Sequence, residues 1–462
     1  MLKTLQLLLV LLISACSRSP KTPTENSAQV VETQEGPGPS KMLTFQPIAG
    51  GGNLHFSVYY PAGFSENRLF PVLIFFDPHG SPDVPLNKYR ELADKYGFIL
   101  LGSHESKNGN GARETSDIIN GMAAQARRLP KADTSLIYAG GFSGGGRVAG
   151  MMGLAPLGIQ GILTCGAGIP GGSWFGAPPN VIVSIGGTSD MNLHEVKEFN
   201  TQKQELMSRY FKLFFDGPHA WPPANEVELA MIIFKRMAMR DNYTAKDTGF
   251  IKESDQWLKA YINNQKDPVV EAEALYNVIR ISESLTDISL LEKQYSNLKA
   301  SPVYQTAEKY DQQLDQEEEK TKTRLYNEIF MKDTSWWNVT ARALLDSSNF
   351  INDRKRIAMI HRVQGHLSLG IYTTLNRTIA GMRVDQGVYL STLYRLIDPQ
   401  NTEAWYLSAV VAMQMGLSGN AMTYLDKAVS LGFKDVGRCR QEPSFAAIQS
   451  DNRFQNILVK MQ

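Results

Sequence analysis

Three residues of this chain have the types and the order that acyl-transfer chemistry needs: Ser143, Asp190 and His219. A serine hydroxyl attacks poorly unless a base takes its proton. An imidazole can be that base, and a carboxylate can fix its tautomer and stabilise the imidazolium that forms. Ser143 sits in Gly141-Phe142-Ser143-Gly144-Gly145, directly after the apolar run Leu136 to Ala139. This spacing fits the G-x-S-x-G elbow, a tight strand-to-helix turn that lifts a serine above a sheet. Small neighbours are required because the backbone turns sharply and the following helix must press on the next strand. In a chain with 38 Gly the motif alone says little. Its weight comes from the other two residues. Asp190 ends Gly186-Gly187-Thr188-Ser189-Asp190, right after Val181 to Ile185, and His219 lies in Asp216-Gly217-Pro218-His219-Ala220-Trp221-Pro222, right after Phe211 to Phe215. Serine, acid and histidine therefore follow in that order, each on the loop after its own strand.

Each assignment has rivals. Asp190 is also suited to cap the helix predicted from Leu193 to Phe199, with Asp216 as the alternative acid. His219 competes with six histidines. His55 falls in a strand, and His361 and His366 fall in a helical half. His194 is too close in sequence to face Asp190 from another loop, and His79 and His104 precede the serine. An oxyanion needs backbone donors. The Gly144 N–H is one, and the turn after Phe76 supplies the other; Pro78 and Pro82 have no N–H, which leaves Ser81 or Gly80. Trp174 and Trp221 read as walls of a substrate pocket, with plain packing as the other reading of Trp221. Arg147 suits an anionic substrate group or a structural pair. No metal or cofactor is required.

Elements that alternate must carry these loops. Asn53 to Tyr60 alternates like a half-exposed strand, and Pro71 to Phe76 is a continuous apolar run like a buried one. Leu86 to Gly97 is an amphipathic helix with a glycine stop, followed by a strand from Phe98 to Gly102 and a helix from Thr115 to Leu129. Gly161 to Ala167 is a further strand, and Glu226 to Met239 a closing helix. The pattern predicts an α/β fold: a mostly parallel sheet covered on both faces, with active groups beyond the carboxyl ends of its strands.

Residues 43–240 resemble the α/β-hydrolase esterases of the polyhydroxybutyrate depolymerase and feruloyl esterase type. The resemblance rests on the His79-Gly80 turn, the Ser143 elbow, the Gly-Thr-x-Asp turn at 187–190 and the Gly217-Pro218-His219-Ala220-Trp221-Pro222 loop, which is similar to a G-H-x-W-P histidine loop. This chain departs from that pattern at Pro218, between the glycine and the histidine, and at Asp77-Pro78, ahead of the first turn. The resemblance implies a serine carboxylic ester hydrolase acting on an ester-containing small molecule or polymer through Ser143, His219 and Asp190. Two alternatives stand beside it: a peptidase-type hydrolase, and an inactive fold that serves a repeat-based scaffold.

The chain has 462 residues, 43% hydrophobic and 20% charged, with a formal net charge of +1. That composition supports real cores and gives no reason to expect a nucleic-acid partner. Its three cysteines cannot build a disulfide framework. Cys165 reads as a buried free thiol in an apolar run. The N-terminus has a basic residue, Lys3, then an apolar stretch from Leu5 to Ile13, about half the ~20 residues a membrane span needs. It ends in Ile13-Ser14-Ala15-Cys16, which resembles the bacterial lipobox; a simple secretory signal cut after Ala15 is the alternative. The first reading expects residues 1–16 to be a signal with Cys16 lipidated, residues 17–41 to be a disordered tether, and the chain to be anchored by lipid in a bacterial envelope. Ser17 after the cysteine resembles outer-membrane lipoproteins, on the periplasmic or the surface face. The hydrolase domain is then expected over 42–241.

Beyond about Asn242 the strand signal stops. A helical region is expected over 242–364, whose run Glu317-Glu318-Glu319-Lys320 reads as a solvated helix face. Over 365–462, Trp405, Ala409, Ala412, Ala421, Leu425 and Ala428 fall at the large and small positions of a tetratricopeptide-like repeat, with Gly416 at its turn. Tyr389, Leu393 and Leu396 suggest a degenerate copy one repeat upstream. Such an array offers a concave surface to a protein or peptide; the alternative is an appendage that stabilises or partly covers the active site.

Overall fold

A computed structural model describes residues 36–169, 179–198 and 208–461, with side chains for all of these except 345–350. Cys16, the expected signal and nearly all of the tether, and Trp174 lie outside the described residues. The first half of the chain is built on one eight-stranded sheet, ordered β1-β2-β4-β3-β5-β6-β7-β8. The strands are β1 (Lys41–Pro47), β2 (His55–Tyr60), β3 (Phe70–Phe76), β4 (Ile99–Ser103), β5 (Ala132–Phe142), β6 (Gly161–Cys165), β7 (Val181–Gly187) and β8 (Tyr210–Phe215). β1–β2 and β2–β4 pair antiparallel, and every pair from β4–β3 to β7–β8 is parallel. This is the mostly parallel sheet that the strand–helix alternation predicts.

The apolar runs explain which strands are central. Val72 to Phe76 of β3 are all 0% exposed, so each side chain is covered from one face or the other. Burying a large apolar side chain is worth about 1.5–3 kcal/mol, and only a strand sandwiched between helix layers can bury consecutive ones. The helices α1 (Asp83–Tyr96), α2 (Ala112–Arg128), α3 (Gly144–Leu154), a short α4 (Leu193–Lys197) and α5 (Ala224–Arg240) supply those layers. Gly97 ends α1 in the left-handed region at φ 71°, where its N–H bonds Ala93 O at 2.8 Å. β6 is shorter than the expected run to Ala167 because Gly166 turns the chain at φ 58°. β1 is an edge strand that periodicity misses: its burial does not alternate, and its pairing shifts between Leu43 and Gln46.

The second half is helical: α6 (Thr248–Asn263), α7 (Pro268–Ser282), α8 (Ser289–Ala300), α9 (Pro302–Glu328), α10 (Thr334–Phe350), α11 (Arg354–Ala380), α12 (Val384–Ile397), α13 (Thr402–Gln414), α14 (Ser418–Ser430), α15 (Val436–Gln441) and α16 (Asn452–Val459). Their starts are set by side chains: Asp247, Asp267, Ser301, Asp353 and Asn401 each accept from a first-turn N–H. Two of the expected domain boundaries do not separate packing units. Leu258 and Ile262 of α6 and Leu275, Val278 and Ile281 of α7 belong to the same apolar core as β5 to β8 and α5, so the sheet's core continues past residue 241. A second core begins near Leu314 and runs to Met461, and α11 crosses residue 364 unbroken. In the C-terminal hairpins Ala409, Ala421, Leu425 and Ala428 are buried where α13 meets α14, and Gly416 turns between them at φ 74°. No described helix is long and apolar enough to cross a membrane.

Candidate functional site

Ser143 caps the junction of β5 and α3 at φ 53°, ψ −120°, a backbone state that costs a non-glycine residue about 1–3 kcal/mol. The glycines around it are steric necessities. A Cβ on Gly141 would lie 2.2 Å from Gly145 O, and one on Gly145 would lie 2.0 Å from Phe76 O. The Ser143 N–H is tied to Cys165 O at 2.8 Å, which pins the turn to β6. The first intrahelical bond of α3 is Arg147 N–H to Ser143 O at 3.2 Å, so the N–H groups of Gly144 to Gly146 precede the helix's own acceptors.

Asp190 and His219 come together because β7 and β8 are neighbours in register, up to the pair Gly187–Phe215. Their exit loops stay zipped: Thr188 N–H bonds Phe215 O at 2.8 Å and Ser189 N–H bonds Gly217 O at 2.9 Å. Gly187 permits this, since a Cβ there would meet Gly217 O at 2.4 Å. At the loop tips His219 Nδ1 lies 2.8 Å from Asp190 Oδ1, and Asp190 is 0% exposed. A carboxylate only accepts, so Nδ1 carries the proton of this bond. Asp190 Oδ1 also accepts from Asn192 N–H at 2.8 Å. Asn192, not Asp190, is the cap position of α4. Asp216, the rival acid, is exposed and accepts instead from the Thr188 hydroxyl at 3.3 Å.

Gly166 marks where Asp190, His219 and Phe142 converge. A Cβ there would be 2.8 Å from Asp190 Oδ2, 3.0 Å from His219 Cε1 and 2.9 Å from the Phe142 ring. The Phe142 ring, one residue before the serine, lies 4.6 Å from the His219 ring. Ser143 thus directly follows the residue that packs on His219, and no hydrogen bond joins Ser143 to His219 in this structure. The other histidines lie elsewhere: His55 bonds Glu105, His104 bonds Ser57, and His194 faces Glu318.

The turn after β3 is organised by Asp77, which motif reading passes over. Its Oδ1 accepts from His79 N–H at 2.8 Å and from Ser81 N–H at 3.4 Å, and its main-chain oxygen accepts from Gly80 N–H at 3.2 Å. Its Oδ2 accepts from the Trp221 indole N–H at 3.0 Å. Burial alone would raise the Asp77 carboxyl, but the hydrogen bonds from His79 and Trp221 hold it below its ordinary value. In turn, the hydrogen bond to Asp77 raises the His79 imidazole. Asp77 therefore joins the loop carrying Gly80 and Ser81 to the loop carrying His219. Trp221 is half-buried and packed against Phe75, Tyr89 and Phe142, so its ring borders the site and also fills the space beneath it. Asn108, on the loop after β4, brings Oδ1 to 1.9 Å from where a Gly144 Cβ would stand, directly over the start of α3. Arg147 pairs with Glu195, Nη2 lying 2.8 and 2.9 Å from its two carboxylate oxygens, and Glu195 Oε2 also holds Gly168 N–H.

Two concavities lie away from the Asp190–His219 pair. One, of about 900 Å³, opens between the β1–β2 hairpin and α2 around Ile48, Leu54, Glu105 and Arg113. The other, of about 420 Å³, opens behind the Asp190 loop. His194, Asp315 and Glu318 stand close enough to share an ion, but Lys197, Lys322 and Arg362 already hold the two carboxylates. Cys165 and Cys439 are free and buried; burial pushes both thiols up, Cys439 to about 12.

No family model matches this chain, and no curated protein does. Among solved structures it is similar to a propionate-bound esterase of the planctomycete Thermogutta terrifontis, at 12% identity and a TM-score of 0.34, over 45% of this chain and 96% of that one. It is also similar to an esterase of Pyrobaculum calidifontis, at 12% identity and a TM-score of 0.33, over 44% and 87%. A dienelactone hydrolase-like promiscuous phosphotriesterase from metagenomic libraries matches at 14% identity and a TM-score of 0.33, over 43% and 97%. Each likeness spans less than half of this chain.

Proposed function

We propose that the chain is a serine hydrolase that cleaves carboxylic esters through an acyl-enzyme. The observation that carries this is the pair of buried Asp190 and half-buried His219 at 2.8 Å, with the His219 ring packed on Phe142 next to the strained Ser143 turn. In the reaction His219 Nε2 takes the Ser143 proton as Oγ attacks the acyl carbon. The tetrahedral oxyanion is held by the Gly144 N–H and by a donor of the 77–81 turn. Ser81 is the better candidate of the two expected there, because its 3.4 Å bond to Asp77 is the longer and easier to exchange. Collapse expels the alcohol, which leaves with the proton from His219. Water, deprotonated by the same imidazole, then frees the acid and restores Ser143. The lack of a Ser143–His219 hydrogen bond fits a resting enzyme, since catalytic hydrogen bonds often tighten only when substrate binds.

A fluorophosphonate probe tests the claim. It should label the folded wild-type chain and fail to label Ser143→Ala; a folded wild type that resists the probe ends the reading, and with it the esterase assignment. The same reading places the enzyme in a bacterial envelope, tethered by lipid on Cys16. Incorporation of labelled palmitate into wild type but not Cys16→Ser is the expected result. The α12–α14 hairpins are read as tetratricopeptide-like units that present a surface to a protein partner. Their small buried residues at the helix contacts support this.

A further inference from the structure

The loop that carries Asp190 is gripped from two sides. The sheet side is the zipper to the histidine loop. On the other side stand α9 and α11 of the helical half. Arg362 of α11, 5% exposed, donates from Nη1 to Thr188 O. Its Nε and Nη2 donate to Glu318 Oε2 at 2.8 and 2.5 Å, and Glu318 of α9 is fully buried. Glu318 Oε1 also takes Lys322 Nζ at 2.6 Å and faces His194 Nε2 at 3.4 Å. Lys197 Nζ meets both oxygens of Asp315 at 2.8 and 3.0 Å. The α11 backbone at Gly365 is so close that a Cβ there would lie 3.2 Å from Met191 Cβ. The helical half thus touches positions 188, 191, 194 and 197, every third residue, while Asp190 turns the other way to His219.

Stability alone is a poor reason for this arrangement. Taking two charges out of water is costly, and apolar residues of the same volume commonly hold a core as well or better. A guanidinium with two nitrogens locked on one carboxylate does offer something apolar packing cannot: a donor fixed in direction, aimed at one carbonyl. That carbonyl lies two residues before Asp190.

We infer that Arg362, held by Glu318, is a positioning residue for Asp190, so that the helical half completes the active site. This rests on the serine hydrolase reading above. A 1 Å displacement in a catalytic constellation can cost about 10²-fold. Arg362→Ala in the full chain should therefore lower kcat for p-nitrophenyl acetate at least about tenfold, with KM little changed. Arg362→Lys should fall between the two. The cavity behind the loop, lined by Thr188, Lys197, Asp216 and Lys355 among others, gives a small cation a way in. Guanidinium at non-denaturing concentration should then restore part of kcat in Arg362→Ala and add nothing to wild type. Lys460→Ala, which breaks only the remote Lys460–Asp426 pair, should leave kcat unchanged. Circular dichroism checks that each variant is folded. If Arg362→Ala does not fold, Arg362→Met/Glu318→Met removes both charges and should show the same drop. A folded variant with wild-type kcat, a loss that neither guanidinium nor lysine recovers, or failure of both variants to fold overturns the inference. A wild type that resists the fluorophosphonate overturns the parent reading instead.

Discussion

Two arginines are buried where the helical half meets the sheet, and they are buried differently. Arg236 of α5 is 0% exposed, and its fork is shared among neutral acceptors: Ile251 O, Ile281 O, Ser254 Oγ and Ser282 Oγ, with the half-exposed Asp255 at 2.9 Å. It staples α5 to α6 and α7, and no residue of the three site loops touches it. Arg362 spends its charge on one buried carboxylate and its last donor on the Asp190 loop. The first is a joint between helices; the second ends on the loop that carries Asp190. Burial of a cation therefore says little by itself, and the identity of its final acceptor says a great deal.

The largest effect that sharpens this contrast lies at the Arg362 end of the chain of contacts. Asp190→Asn keeps the shape but loses the carboxylate, and should cost about 10²–10⁴-fold in kcat without unfolding. Near-normal turnover would move the acid's role to Asp216. Arg236→Met should do the reverse, lowering unfolding free energy by about 3 kcal/mol in denaturant titration while each folded molecule keeps its kcat. A loss of kcat in the folded fraction would erase the distinction between the two arginines. The third effect is one of pH. Burial alone would raise the Glu318 carboxyl, but hydrogen bonds from His194 and Arg362 and the charges of Arg362 and Lys322 outweigh it and hold it far below the ordinary carboxylate range. Its folded value lies below its unfolded value of about 4.3, so its contribution is complete above that pH and drains away as pH falls toward the folded value. Denaturant midpoints should thus drop more steeply below about pH 4 in wild type than in Arg362→Met/Glu318→Met. Equal slopes would mean the carboxylate is not coupled to folding. The smallest effect belongs to the other loop tie. Trp221→Phe keeps the ring packing and removes only the bond to Asp77, costing about 1 kcal/mol of stability and a modest part of kcat. A catastrophic loss would make Asp77 more than a tie between loops.

The strand–helix alternation and the chain order of Ser143, Asp190 and His219 were legible because both are local: apolar runs mark buried strands, and the candidate residue follows each run. Gly166 was legible only as the end of an apolar run, since its significance lies in side chains from three other segments. Asp77 stood in plain view before Pro78-His79-Gly80, but its partner Trp221 is set by sheet order, which periodicity does not give. The charge run at 317–320 is the sharpest case. Read locally it is a solvated face, yet Glu318 is fully buried, because α11 and the Asp190 loop arrive from far along the chain with an arginine and a histidine to meet it, beside Lys322 one turn on in its own helix. The continuity of the sheet core into α6 and α7 was hidden for a similar reason: the loss of strand pattern at 242 marks a change of element type, not an end of packing.

The 27-residue α11 has one more consequence, for how this chain can tolerate change. Its early turns meet the acid loop at Arg362 and Gly365, and its later turns bury Leu367, Ile371 and Leu375 in the second core. A helix advances by about 100° per residue, since it has ~3.6 residues per turn. A single insertion or deletion within α11 would therefore rotate one set of contacts by more than a quarter circle against the other. Surface loops such as the Gly416 turn can absorb length changes freely; this helix is a keyed shaft, and its length is fixed by what sits at both ends.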